Sequence, residues 1–300
     1  MAVDLSDVLV VGISSRALFD LETENELFDR EGVDSYTSYQ LDHTDDRPSP
    51  GAGFHLVKSL LSMNDLGTQR VEVIVLSRNN AAISLRVSKA IEHYGLDITR
   101  SAWTGGAPIA RYLGAYKVDL FLSAYEHDVQ DAINSGFAAA RIYAPPTRAT
   151  GQIKGDNTIR IAFDGDAVLF SEESEKIFQE KGLEEFVRHE KENAMKPLPD
   201  GPFAPLLRTI SRVQQGLGPE TAPIRTALIT ARNSPAHERV IRTLHAWGVR
   251  IDEVHFLGGI SKYEILAAFG ADIFFDDQDV HCSLASQVVP TAIVPIRLGK

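Results

Sequence analysis

Cysteine is nearly missing from this chain: Cys282 is the only one in 300 residues, so no intrachain disulfide can form. Basic residues are outnumbered, 30 Lys and Arg against 41 Asp and Glu, and the formal net charge is −11. No basic stripe is then available to displace counterions from a polyanion, and no nucleic-acid partner is expected. A small phosphorylated ligand stays compatible, because a divalent cation and one or two local basic groups can reverse the field inside a cleft. A charged-then-apolar leader is lacking, as is any apolar run long enough to span a bilayer. No membrane partner is therefore expected, and the cytoplasm is the expected address.

What is there starts at residues 158–170, where the apolar alternation of Ile159, Ile161 and Phe163 runs straight into Asp164-Gly165-Asp166. A buried strand gives no reason to end on two acids, since an isolated buried carboxylate costs several kcal/mol on the order expected for desolvated ions. Something cationic should meet them. Downstream, the apolar run Ala227-Leu228-Ile229 ends in the hydroxyl of Thr230, and Ile273-Phe274-Phe275 ends in the adjacent acids Asp276 and Asp277. Two neighbouring acids repel unless a cation sits between them. Ser261 and Glu264 have capping-box spacing, which puts Lys262 in the first turn of a helix. A cation there opposes the helix dipole, and the placement makes sense if an anion such as phosphate lies beside it.

Asp164-Gly165-Asp166-Ala167-Val168, Thr230, Lys262 and Asp276-Asp277 resemble, in order, the four motifs of haloacid dehalogenase-like phosphatases. The strings from Phe163 to Ser174, from Leu228 to Glu238 and from Phe274 to Gln278 with His281 are similar, more narrowly, to the type I cytosolic 5′-nucleotidase family. That likeness extends to Leu9 through Phe19, and so over most of the chain. The resemblance implies Mg²⁺-dependent hydrolysis of nucleoside 5′-monophosphates through an aspartyl-phosphate. It gives Asp164 the role of nucleophile, Asp166 that of acid and base, and Lys262 and Thr230 that of phosphoryl stabilisers. It also implies Mg²⁺ on Asp164, the Asp166 carbonyl and Asp276, with Asp277 either a direct ligand or one step behind. Arg232, Asn233 and His281 are the expected substrate contacts, and a homo-oligomer the expected assembly.

Sliding the chain against itself sets Ser77 on Thr230, Asn80 on Asn233, Arg86-Val87 on Arg239-Val240, Gly95 on Gly248, Gly105-Gly106 on Gly258-Gly259 and Asp119 on Asp272, at one constant spacing. Further upstream Phe28, Gly32 and Gly51 meet Phe178, Gly182 and Gly201 at a slightly shorter one. This reads as an internal duplication. In the first copy Ile13 and Ser15 stand for Asp164 and Asp166, Ile109 for Lys262, and Ser123 and Ala124 for Asp276 and Asp277. That copy should be catalytically dead, kept for packing, oligomerisation or ligand sensing.

The expected fold is α/β: two tandem Rossmann-like domains, 1–150 and 158–300, each a parallel sheet flanked by helices, joined through the Pro- and Gly-containing stretch 144–157. Residues 171–222 interrupt the second. They read as a helix from Glu172 to Asn193 with Ile177, Phe178, Phe186 and Val187 inward, a Pro-rich turn, and a helix from Leu206 to Gln214. This small helical cap is expected above the carboxyl ends of the strands. Ser234 and Pro235 look like the start of a helix that stops at Gly248.

Two other functions fit the same residues. One keeps the chemistry on another small phosphorylated metabolite or transfers the phosphoryl group to an alcohol. The other is a non-catalytic nucleotide-binding protein whose acids hold a structural cation. Asp-Gly-Asp as a calcium loop fails, because no acidic ligand series with the required glycine follows.

Overall fold

The computed structural model describes residue 5 and residues 7–66, 68–143, 158–215, 217 and 222–298, so the expected joining stretch 144–157 lies outside the described residues. The chain forms two compact units, Met1–Phe137 and Ala138–Lys300. Each is α/β, with mostly parallel strands flanked by helices.

In the first unit the order is β1 Leu9–Ile13, α1 Ser15–Leu18, α2 Glu22–Asp42, α3 Phe54–Ser62, β2 Val71–Ser77, α4 Ser84–His93, β3 Arg100–Trp103, α5 Ala110–Leu113, β4 Leu120–Ser123 and α6 Glu126–Asn134. Its strands lie side by side as β3-β2-β1-β4, all parallel. The second unit runs β5 Ala139–Ile142, β6 Ile159–Phe163, α7 Glu173–Glu192, α8 Ala204–Val213, β7 Ile224–Thr230, α9 His237–Trp247, β8 Glu253–Phe256, α10 Lys262–Phe269, β9 Ile273–Asp276, α11 Asp279–Ala285 and β10 Thr291–Ile293. Its strands are ordered β5-β10-β9-β6-β7-β8, and β5 alone runs antiparallel, against β10.

Strands covered on both faces should be apolar without alternation, and Ile161–Phe163 of β6, Ala227–Ile229 of β7 and Ile273–Phe275 of β9 are, while the edge strand β8, Glu253-Val254-His255-Phe256, alternates. On one face Phe163 stacks on Phe275 with centroids 5.7 Å apart, and Phe203 packs on Phe275 at 4.8 Å. On the other, Ala162, Ala227, Ile229 and Phe274 meet Leu266 and Phe269 of α10. The central strand β6 therefore has little freedom to move, and neither has the loop that leaves it.

Several features recur at corresponding places in the two units. Gly32 interrupts α2 and Gly182 interrupts α7, with φ of 83° and 81° that a side chain would resist. Isolated bridges join Phe19 to Pro50 and Phe170 to Asp200. Gly51 and Gly201 follow them, each so close to the opposite backbone that a Cβ would collide with it.

The break at Gly182 corrects one expectation. α7 is not one straight helix with Phe178 inward: Phe178 lies before the kink and is 44% exposed, whereas Phe186 beyond it is buried. α8 starts earlier than expected, with Pro205 in its first turn. Ser234 is not a cap, since α9 begins at His237 with Ala236 before it, but Gly248 does end that helix in the left-handed conformation. Ser261 caps α10 by accepting from Tyr263 N at 3.3 Å, rather than from Glu264 as a capping box requires.

Candidate active site

The neighbours β9-β6-β7 put three carboxyl ends together where the connections leave in opposite directions, the usual ligand position in open α/β sheets. Asp164 leaves β6, Thr230 ends β7 and Asp276 ends β9. Asp164 N donates to Phe275 O at 2.8 Å, which ties the departing loop to the neighbouring strand. Lys262, the first residue of α10, reaches between the acids: Nζ lies 2.8 Å from Asp164 Oδ1 and 2.6 Å from Asp276 Oδ2. The expected cation for these acids is thus already partly a lysine of the chain itself.

It does not satisfy them all. One ligand oxygen each of Asp164, Asp276 and Asp277 lies within 4.8 Å of the others. Asp277 Oδ1 is buried and has no hydrogen-bond partner. Burial, and then the nearby Asp164 and Asp276, push the Asp277 carboxyl up to about 8. Asp164 is pushed up to about 6 by burial and by Asp276, against the pull of Lys262. Burial also opposes ionisation of Asp276, but hydrogen bonds from His281 and Lys262 outweigh it and hold Asp276 below the usual carboxylate range. A cluster of acidic oxygens with an orphaned buried member fits a hard divalent cation, which would remove the repulsion behind the raised values.

Beyond Asp164 the backbone makes a tight turn over Gly165–Leu169, closed by Phe170 N donating to Gly165 O at 2.9 Å, with Asp166 extended and Ala167 at φ 60°. That left-handed residue costs about 1 kcal/mol. Asp166, near enough to Asp164 to add to the rise of its pKa, meets Arg232, whose Nε and Nη2 donate to its two oxygens at 2.8 and 2.6 Å. Arg232 Nη1 donates to Glu190 of α7 at 2.5 Å, and the guanidinium lies over the Phe186 ring. Glu190 also accepts from Arg239 at 2.9 Å and from the Ser174 hydroxyl at 2.9 Å.

Arg232 is therefore not open to a phosphate or base: it is 4% exposed, with all three nitrogens engaged by carboxylates. Thr230 Oγ1 is buried, accepts from Arg232 N at 3.2 Å, and faces Gly165 closely enough to border the Asp164 turn. Asn233 is exposed on the loop after β7, where its carbonyl accepts from His237 N. His281 on α11 sits with Nδ1 3.3 Å from Asp276 and so flanks the carboxylates. Glu190 and Arg239 were not expected at the site. A signal for Glu190 did exist in the repeat, where its counterpart is Gln40.

The sequence model of the family described as 5′-nucleotidase matches residues 1–300 of this chain. The chain belongs to the 5′-nucleotidase family. It is 35% identical over 294 residues to human cytosolic 5′-nucleotidase 1B, a match that takes in 94% of this chain and 48% of that protein. The chain thus spans about half the length of the curated relative it matches. Among solved structures, a putative universal stress protein from Pseudomonas aeruginosa UCBPP-PA14 superposes with a TM-score of 0.35 at 9% identity, over 81% of this chain and 88% of that one. A score that low says nothing further about this member of the 5′-nucleotidase family. Among the described residues no helix is long and apolar enough to cross a membrane.

Proposed function

We propose that this protein is a Mg²⁺-dependent 5′-nucleotidase that hydrolyses nucleoside 5′-monophosphates to nucleoside and phosphate. The observation that carries the reading is the Asp164, Asp276 and Asp277 cluster with Lys262 in contact with two of its members and a buried Asp277 oxygen left over. Family membership points to the substrate class. Mg²⁺ would be held by Asp164, Asp276 and Asp277, with the Asp166 carbonyl, and would screen the approach of two anions and polarise the phosphoryl group.

The side chains divide the chemistry. An Asp164 oxygen attacks phosphorus, the P–O5′ bond breaks, and the leaving oxygen takes a proton from Asp166, giving nucleoside and an aspartyl-phosphate. Water then attacks phosphorus and gives its proton to Asp166, the phosphorus–Asp164 bond breaks, and inorganic phosphate leaves. Lys262 holds Asp164 in place and stabilises charge on the transferring group, while Thr230 and the amides after it hold phosphoryl oxygens. His281, beside Asp276, and Asn233, on the loop after β7, are the remaining substrate contacts.

The reading extends to the whole chain. Residues 158–300 form the haloacid dehalogenase-like catalytic domain, α7 and α8 are its cap, and the first unit is a duplicate that lost the chemistry. The matched kink glycines, bridges and close-approach glycines support common descent, and Ser15, Ile109, Ser123 and Ala124 support inactivity.

The test is phosphate release from a panel of nucleoside monophosphates and sugar phosphates, with Mg²⁺ and with chelator, for the wild type and Asp164→Asn. Release from nucleotides that needs both Mg²⁺ and Asp164 is the expected result. Preference for sugar phosphates would change the substrate, and no metal-dependent release from folded protein would overturn the reading.

A further inference from the structure

Asp166 does not stand alone on its loop: its two oxygens are gripped by Arg232, and Arg232 is gripped in turn by Glu190 from the inner side of α7. Glu190 is 1% exposed and bridges Arg232 and Arg239. A carboxylate buried this fully is strongly unfavourable unless each oxygen is paired, and here both are.

Corresponding positions in the first unit separate two jobs that this carboxylate could have. Arg239 has its counterpart in Arg86, also buried; it pairs with Glu24, which takes the place of Ser174, and with the amide of Gln40, which takes the place of Glu190. Even the backbone partners match, Lys196 O for Arg239 and Asp46 O for Arg86. So the buried arginine common to both units needs a carboxylate but does not need it at position 190. What differs is the rest of the chain of contacts. Arg232 corresponds to Asn79 and Asp166 to Ser15, and those two meet at 3.4 Å as neutral groups. A charge at the Glu190 position thus goes with the charges on Arg232 and Asp166, and all three are neutral together where there is no reaction to perform.

From this we infer that Glu190 is a positioning residue for the reaction, holding Arg232 so that the guanidinium fork fixes the Asp166 carboxyl group and thereby coupling helix α7 to the proton-transferring side chain. The inference rests on the nucleotidase reading given above. Arg232 is a single fork on a long flexible stem. Anchoring its third nitrogen leaves the other two a single aim, which bidentate geometry then transmits to Asp166.

A structural role and a positioning role differ in what they do to the leaving group. An alkoxide needs a proton as it departs, whereas a thiolate does not, so a misplaced Asp166 slows formation of the aspartyl-phosphate selectively for the oxygen ester, while hydrolysis of that shared intermediate is slowed alike for both. Wild type is assayed first with a nucleoside 5′-monophosphate and the matching 5′-S-phosphorothiolate, in which sulfur replaces the bridging oxygen. Glu190→Gln should then lower kcat/KM for the oxygen ester by about tenfold or more and leave kcat/KM for the phosphorothiolate nearly unaffected, because kcat/KM ends at departure of the first product and excludes hydrolysis of the shared aspartyl-phosphate.

Since Glu190→Gln also weakens Arg239, the double variant Ser174→Glu with Glu190→Gln is measured beside it. It transplants the Glu24 and Gln40 arrangement, giving Arg239 a carboxylate while leaving Arg232 without one. The same split in the double variant supports positioning. Restored kcat/KM for the oxygen ester in it, equal losses of kcat/KM on both substrates, or loss of folded protein in both variants each overturn the proposal. An inactive wild type overturns the nucleotidase reading and this proposal with it; an active wild type without the split overturns this proposal alone.

Discussion

Lys262 Nζ lies 2.8 Å from Asp164 Oδ1, so the side chain proposed to attack phosphorus is held by a cation from the start of another helix. The same ammonium is 2.6 Å from Asp276, and burial around it makes both contacts count for more than they would in water.

Replacing that lysine should be severe in two separable ways. Lys262→Met leaves Asp164 and Asp276 facing each other, buried, with no ammonium between them. It is expected to lower metal-free stability by about 3 kcal/mol in urea unfolding. Saturating Mg²⁺ should return part of that stability, while kcat stays at least about a hundredfold down. Full recovery of turnover with Mg²⁺ would contradict the role given to Lys262.

The Asp277 carboxyl is raised from its ordinary 3.8 to about 8 in the folded protein, and Asp164 from 3.8 to about 6. The folded state therefore binds more protons than the unfolded state between these values, and stability must fall as pH rises through that window. Thermal melts of chelator-treated protein should show the melting temperature dropping from about pH 5 to pH 8. Asp277→Asn should flatten the slope, and Mg²⁺ should reduce it. A melting temperature that rises over this range would refute the assignment.

Gly201 passes so close to the backbone of Val168 and Phe170 that any Cβ would meet their carbonyl oxygens. Backbone cannot step aside as a side-chain tip can. Gly201→Ala should cost about 3 kcal/mol in equilibrium unfolding and loosen the Asp164 turn next to it. A change under about 0.5 kcal/mol would mean that this contact relaxes freely.

In the first unit, the Ser15 hydroxyl, given the place of Asp166 under the proposed duplication, meets the Ser77 hydroxyl and the Asn79 amide. Ser15→Ala should leave nucleotide turnover within about twofold of wild type, because no charge-assisted bond is removed. A large loss of turnover would bring the first unit into the reaction.

The strand ends that carry this site could be read from the chain because apolar runs and their abrupt acidic or hydroxyl endings are local. Ile159 to Phe163 before Asp164, and Ile273 to Phe275 before Asp276, are each a strand in the structure. Lys262 was readable for the same reason, through the capping serine ahead of it. What escaped depended on direction rather than order. Periodicity placed Phe178 inward, but it assumes a continuous helix, and Gly182 resets the phase between Phe178 and Phe186. Arg232 suggested a phosphate contact, since nothing local says that a glutamate on a helix far away in sequence will claim it. Long-range charge pairing leaves no periodic trace, and only the repeat, with Gln40 opposite Glu190, offered a hint.

Cys282, the one thiol, is fully buried on α11 with Sγ 3.7 Å from the carbonyl oxygen of Asp276. Burial and the adjacent acids raise it far above the range in which a thiolate forms, so alkylating and oxidising reagents have little to attack. For labelling purposes the natural protein thus behaves as if it had no cysteine. A single cysteine introduced beside the Gly182 kink of α7, for example at the exposed Leu183, would carry a fluorophore without background, and α7 could be followed during turnover in an otherwise unaltered chain.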